Sequence, residues 1–288
     1  MVIARINNNL NAQAQNRLQN VTAANMIKAF ERLASGTIIN RAADHAAGLR
    51  IATRLQSQFS GLNEAFDAAQ SGINLASVAD QALNSVTERL DRIRELSIQA
   101  GSSTNDQQAR QAIQAEIAQN VDEIDRIAST TQFGSRFLLN GDSSESADGT
   151  GEPVNIPSGV NAGQSIQMSF GDVRASSLGL GDGHTLNDIN VTEEGGADHA
   201  LEIVDEALHQ INAIRGSIGA FSNRLESGAN SLAVISENLL ASQSRITDVN
   251  IAVEAARLSQ NRLLEQVNLS VQSQSRNLQH IMFPDLLR

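Results

Sequence analysis

The chain has 288 residues and a formal net charge of −11; 41% of its residues are apolar but only 3% are aromatic, and it has no Cys, Trp or Tyr. This excludes a disulfide framework, a thiolate metal site and a cysteine nucleophile. It also argues against a large globular interior, which relies on aromatic area, and for seams of Ala, Val, Leu and Ile between helices. The charge is unevenly spread: residues 1–56 carry +5, residues 57–244 carry −17 and residues 245–288 carry +1. The basic residues of the two ends are dispersed and lack stacking aromatics, so no nucleic acid partner is expected. No run of 18 apolar residues predicts a membrane span. No apolar h-region lies between Met1 and Asn20, so no cleaved secretory signal is expected.

In chain order, Ile3, Ile6, Leu10, Leu18, Val21, Ile27, Phe30 and Leu33 recur at helical spacings and predict a weakly amphipathic N-terminal helix. Ser35-Gly36 is a natural break, and Asn40 to Gly48 reads as a loop or short helix. From Ala65 a seam follows alternating steps of three and four: Ala65, Ala69, Gly72, Ala76, Ala79, Leu83, Val86, Leu90, Ile93, Ser97, Ala100. Gly101 ends it. Thr104, Asn105 or Asp106 can cap a further helix that carries Ala109, Ile113, Ile117, Val121, Ile124 and Ala128. Phe133, Phe137, Leu138 and Leu139 then lead to Asn140-Gly141, a hairpin signal. Residues 142–196 hold ten of the 20 glycines, with Val154–Ile156 and Ile166–Phe170 alternating as short strands do.

Helix resumes near Asp198 and carries the longest pattern in the chain. Its seam runs Val204, Ala207, Ile211, Ile214, Ile218, Phe221, Leu225, Gly228, Leu232, Ile235, Leu239, Ser242, Ile246, Val249, Val253, Ala256, Gln260, Leu263 and Val267. A period of 3.5 held this long means a narrow apolar face on one very long helix, or on two in register, extending roughly 95 Å. Gly216, Gly219 and Gly228 are expected to allow close contact with the small residues of the 65–100 seam. The last 40 residues resemble the first 56, being polar-rich and without a core of their own, so the two ends are expected to pair. The predicted fold is mainly α: a long antiparallel helical bundle with a terminal coiled coil and a small β-rich tip.

The residues also resemble a known family, bacterial flagellin. Glu31-Arg32-Leu33-Ala34-Ser35-Gly36, Ile39-Asn40 and Asp44-His45-Ala46-Ala47-Gly48-Leu49 are similar to its first signature. Leu90–Gln99, Gln114–Ile117, Glu123–Ile127, Thr131-Gln132-Phe133, Ile218–Glu226 and Ser244–Asp248 follow in order. Thr37-Ile38, His45 and the 273–280 run depart from the usual pattern.

The resemblance implies a subunit that polymerises with itself into the extracellular flagellar filament, serving motility, exported by the flagellar type III apparatus without a cleaved signal. It implies five parts: an N-terminal inner-core helix and linker (1–56), the first outer-core bundle part (57–141), a β-rich excursion (142–197), the second bundle part (198–243) and a C-terminal inner-core helix (244–288). The filament coiled-coil seam would be Ile6, Leu10, Val21, Ile246, Val249, Val253, Ala256, Leu263 and Val267. The bundle seam would be Leu83, Val86, Leu90, Ile93, Ile211, Ile214, Ile218, Phe221, Leu225, Leu232, Ile235 and Leu239. Cap proteins, hook-junction proteins and an export chaperone are implied partners. A host Toll-like receptor is another, with Leu90, Arg92, Leu96, Gln99, Ile113 and Glu116 as its contacts. A hook–filament junction protein is the alternative, and a surface-displayed binding protein a more distant one. The solvated charged face is the plain reading of Arg89, Asp91, Arg92, Arg94 and Glu95.

No enzyme, metal or cofactor is expected. The histidines at 45, 184, 199, 209 and 280 form no His-Glu-x-x-His or i, i+4 pair. Gly179-Leu180-Gly181-Asp182-Gly183 is not set between strand and helix and reads as a loop. The Ser and Thr of 142–196 suit loop chemistry, or O-glycosylation by the resemblance.

Overall fold

The computed structural model describes residues 2–141, 153–161, 163–193 and 195–285, with side chains described within 13–274. Five α-helices carry the fold: α1 (Val2–Ser35), α2 (Ala46–Ala100), α3 (Gln107–Thr130), α4 (Gly196–Thr247) and α5 (Ile251–Asp285). Two antiparallel ladders of two strands accompany them, β1 (Gln132–Phe133) with β2 (Arg136–Phe137) and β3 (Val154–Pro157) with β4 (Ser165–Met168). The chain divides into two compact units, one of residues 1–59 with 237–288 and one of 60–236.

In the second unit the two apolar patterns meet as a core. Leu83, Val86, Leu90 and Ile93 of α2, Ile117 and Ile124 of α3, and Ile203, Val204, Ala207, Ile211 and Leu225 of α4 are buried in one cluster. Such a cluster offsets the chain entropy that isolated helices of this composition could not. Asp106 caps α3, its carboxylate accepting the N–H of Ala109 at 2.8 Å. Gly72 admits its neighbours closely: a Cβ there would lie 2.1 Å from Ile156 Cδ1 and 2.8 Å from Leu225 Cδ1. The β3–β4 hairpin therefore packs Ile156 and Ile166 into the same core.

Residues 171–193 hold little regular structure, and three helix side chains supply backbone partners for them. Gln114 donates to Ile189 O and accepts from Val191 N, each at 2.8 Å. Gln210 donates to Gly179 O at 2.7 Å, and Asp125 accepts from Ala175 N at 2.7 Å.

One local expectation is corrected and another falls partly outside the described residues. A short hairpin turns at Gly134-Ser135, between Phe133 and Arg136, and Gly134 takes φ 64°, the left-handed conformation that such a tight turn requires; the segment that would follow a turn at Asn140-Gly141 lies outside the described residues. Gly216 and Gly219 meet no other side chain where a Cβ would stand, and Gly228 only Ile166 at 3.9 Å, so these glycines serve no close helix contact within the subunit.

In the first unit α1 and α5 run antiparallel, since Arg32 pairs with Glu254 while Asn16 accepts from Gln272 at 3.3 Å. The long seam breaks between Thr247 and Ile251. Asn250 starts α5, its Oδ1 accepting from Val253 N at 3.2 Å and its carbonyl from Glu254 N at 3.0 Å. A short bridge joins the two interhelical segments: Ile38 N donates to Thr247 O at 2.6 Å and Val249 N to Gly36 O at 2.9 Å.

Candidate interaction surfaces

The α1–α5 pair is covered along a stripe that apolar patterning, Leu33 apart, did not mark. On α1 the more covered positions are Gln15, Gln19, Thr22, Met26, Ala29 and Leu33; on α5 they are Glu254, Leu258, Asn261, Glu265, Asn268 and Gln272. Both keep the 3-4 spacing of a coiled-coil seam. Small residues at Thr22 and Ala29, each nearly buried, let the helices approach. Glu254 is 5% exposed and lies between Arg32 at 3.6 Å and Arg257 at 3.2 Å.

The apolar seam read from the sequence therefore lies elsewhere on these helices. Val21, Val253, Ala256, Leu263 and Val267 are exposed, Leu263 at 63%, while Ile246 and Val249 are half-buried. Ile6 and Leu10 lie outside the residues whose side chains are described. Leu18, Ile27, Phe30, Leu264 and Val271 join the exposed set. The pairing of α1 with α5 uses the polar and small stripe, and the apolar faces point away from it. An exposed apolar area of this kind marks an interaction site.

In the second unit Leu83, Val86, Leu90, Ile93, Ile211, Ile218, Phe221, Leu225 and Leu232 are buried. Ile214 and Leu239 are half-buried, and Ile235 is exposed at 47%. The last two lie on the part of α4 beyond the main core cluster.

The charged face of α2 is paired across helices. Arg92 donates to Glu116 of α3 at 2.6 Å and to Glu95 at 3.1 Å, and these carboxylates hold its guanidinium more firmly protonated. Arg94 donates to Asp205 of α4 at 2.8 Å. All these groups are well exposed, so each pair is worth little stability. Leu90, Leu96 and Ile113 are 0%, 1% and 7% exposed, which corrects their place in the receptor set: packed in the core, they offer no side chain to a partner. Arg92, Gln99 and Glu116 remain on the surface.

Among the described residues no three His, Asp or Glu side chains come together as metal ligands. Nor is any described helix long and apolar enough to cross a membrane.

A helical subunit with a closed core in one unit and an uncovered apolar coiled coil in the other is a structural protein built for assembly. Residues 6–144 match the bacterial flagellin N-terminal helical region and residues 201–283 the C-terminal helical region. The chain belongs to the bacterial flagellin family. It is 38% identical over 295 residues to flagellin of Bacillus subtilis (strain 168), an alignment spanning 94% of this chain and 96% of that one. It is 37% identical over 275 residues to the flagellar filament 33 kDa core protein of Treponema phagedenis, spanning 94% and 95%. A solved putative flagellar hook-associated protein from Vibrio parahaemolyticus shares the fold, with a TM-score of 0.60 and 16% identity over 71% of this chain and all of that one. The chain is a filament subunit that polymerises with itself and serves motility, and the family is structural, not enzymatic. Sequence identity to filament proteins, not the shared fold, separates it from the hook-junction alternative.

Proposed function

We propose that the exposed apolar faces of α1 and α5 are the inner assembly surface of the filament, with Val21, Val253, Ala256, Leu263 and Val267 taken up by neighbouring subunits. The observation that carries this is the placement of a long apolar pattern on the outer side of a helix pair whose own contact is mostly polar and small, with Met26, Leu33 and Leu258 among it. A neighbouring chain seated on Leu263 and Val267 would relieve their contact with water. On this reading residues 1–56 and 244–288 form the inner core. Residues 57–141 and 198–243 form the outer bundle, and 142–197 form its excursion. Leu263→Asp tests it: seeded polymerisation followed by electron microscopy should yield no filaments. Normal filaments would mean that this face stays in water.

Membership of a family whose filaments work outside the cell supports an extracellular location, reached through the flagellar export apparatus with a chaperone on the subunit. It also supports the cap and hook-junction proteins as neighbours of the growing and basal ends.

Recognition by a host Toll-like receptor is a further reading, favoured by the exposed Arg92–Glu116 pair. Arginine is a frequent hot spot because its fork makes several bonds at once. Arg92→Ala should lower signalling by the monomer at least about tenfold, the scale of a 1.4 kcal/mol contact. Unchanged potency would leave the pair a solvated ion pair.

A further inference from the structure

The joint between α1 and α2 is closed by a histidine. α2 begins at Ala46, so His45 is its N-cap residue and Gly48 its third helical residue. The His45 carbonyl accepts from Leu49 N at 2.9 Å, the first bond of the helix, and its ring Nδ1 accepts from Gly48 N at 2.8 Å. This is the geometry in which Asp, Asn or Ser usually serves: a side-chain acceptor meets one of the unpaired N–H groups of the first turn. The ring lies directly over Gly48, where a Cβ would stand 2.2 Å from Nδ1 and 2.8 Å from Ile39 Cδ1. Glycine at 48 thus lets the imidazole and Ile39 close on the helix start together.

An imidazole differs from those other caps in one respect. Nδ1 accepts only while it carries no proton, and histidine changes charge between about pH 5 and 8. Protonation replaces the acceptor with a donor that faces another donor. It also adds positive charge at the positive end of the helix dipole. The charged groups round the turn do not replace the lost bond. Asp44 accepts from Asn40 N and Arg41 N at 3.2 and 3.0 Å and feels Lys28 and Arg32 of α1. Glu31 of α1 is paired with Arg41. Asp248, on the segment bridged to Thr37, accepts from Ser244 and Thr247.

We propose that His45 is a proton-responsive cap: neutral, it holds the first turn of α2 and the 36–45 linker; protonated, it releases them. The linker is tied to 247–249 by the Ile38–Thr247 and Val249–Gly36 bonds. Release therefore loosens the joint at which α1 and α5 leave the rest of their unit, and proton concentration sets how firmly a subunit holds its inner helices.

Hydrogen exchange on assembled filaments at pH 8 and pH 5.5, corrected for the intrinsic rate, tests this. In the native protein, protection of peptides covering 46–52 should fall at least about fivefold at the lower pH, the equilibrium equivalent of one cap. In His45→Asn and His45→Asp, whose side chains still accept at pH 5.5, protection should stay constant. Native filaments that dissociate at pH 5.5 while either variant stays assembled would also support the cap. Equal pH dependence in native and variant filaments, no pH dependence in the native one, or failure of both variants to assemble would overturn it.

Discussion

Glu254 is the one charged side chain buried among the described residues, and its two arginines differ in exposure, Arg32 at 23% and Arg257 at 59%. The buried carboxylate is tolerable because it is paired; removing it strands Arg32 against the helix interface. Glu254→Ala should cost about 1–3 kcal/mol, below the usual cost of breaking a buried pair because Arg257 faces solvent. The check is the temperature at which filaments depolymerise, which should fall; an unchanged temperature would mean that the pairing is not kept in the polymer. Asp44 behaves differently. The Arg41 N–H chiefly holds its carboxyl below the ordinary value of 3.8, against the opposing effect of burial and with help from the Asn40 N–H and the charges of Arg32 and Lys28. A depressed carboxyl contributes stability above its ordinary value and loses it as pH falls through the lower folded one. Its loss therefore comes in acid below pH 3.8. The parts of Glu254 and His45 were not legible in the sequence, because burial at a helix pair and capping geometry appear only once the helices are placed.

At the scale of elements, periodicity located the core helices because burial and spacing coincide there: all eleven residues of the 65–100 pattern are buried. Periodicity could not say which face of α1 and α5 meets its partner within the chain. Two stripes on α5 share the 3-4 spacing, and the polar one, through Glu254, Asn261 and Gln272, is the covered one. The break at 248–250 was also hidden by the pattern, since Ile246 and Val249 keep the phase across it, although Asn250 is an evident cap. The difference between the two kinds of apolar face gives a paired test. Leu225 is wholly buried, so Leu225→Asp should unfold the bundle in a monomer denaturation curve. Leu263→Asp should leave that curve within about 0.5 kcal/mol of the native protein, as surface changes do. Gly219 is exposed with open space where a Cβ would stand. Gly219→Ala should stabilise the monomer by about 0.5–1 kcal/mol, measured by urea unfolding. A stabilised monomer that polymerises poorly would show that the glycine is kept for a neighbouring subunit.

At the scale of the molecule, the two units differ in what they can hold by themselves. Residues 60–236 contain the whole of one continuous buried cluster, while residues 1–59 and 237–288 leave Leu18, Phe30, Leu263, Val267 and Leu269 in water and bury few large side chains among those described. Helices joined through polar and small residues bury too little area to offset their ordering entropy. In the monomer the first unit should therefore open locally at a far lower free energy than the second. Trypsin has targets in both, at Arg17, Lys28, Arg32, Arg257 and Arg262 in one and Arg92, Arg126 and Arg215 in the other. Limited digestion of the monomer should trim both ends and leave a resistant fragment close to Ser60–Ser236. Filaments treated alike should lose neither end, because neighbouring chains supply the missing burial. Mass spectrometry of the digests distinguishes the outcomes. Equal resistance of ends and bundle in a monomer verified by light scattering would show that the polar α1–α5 seam is sufficient alone, and assembly would then owe nothing to ordering of the ends.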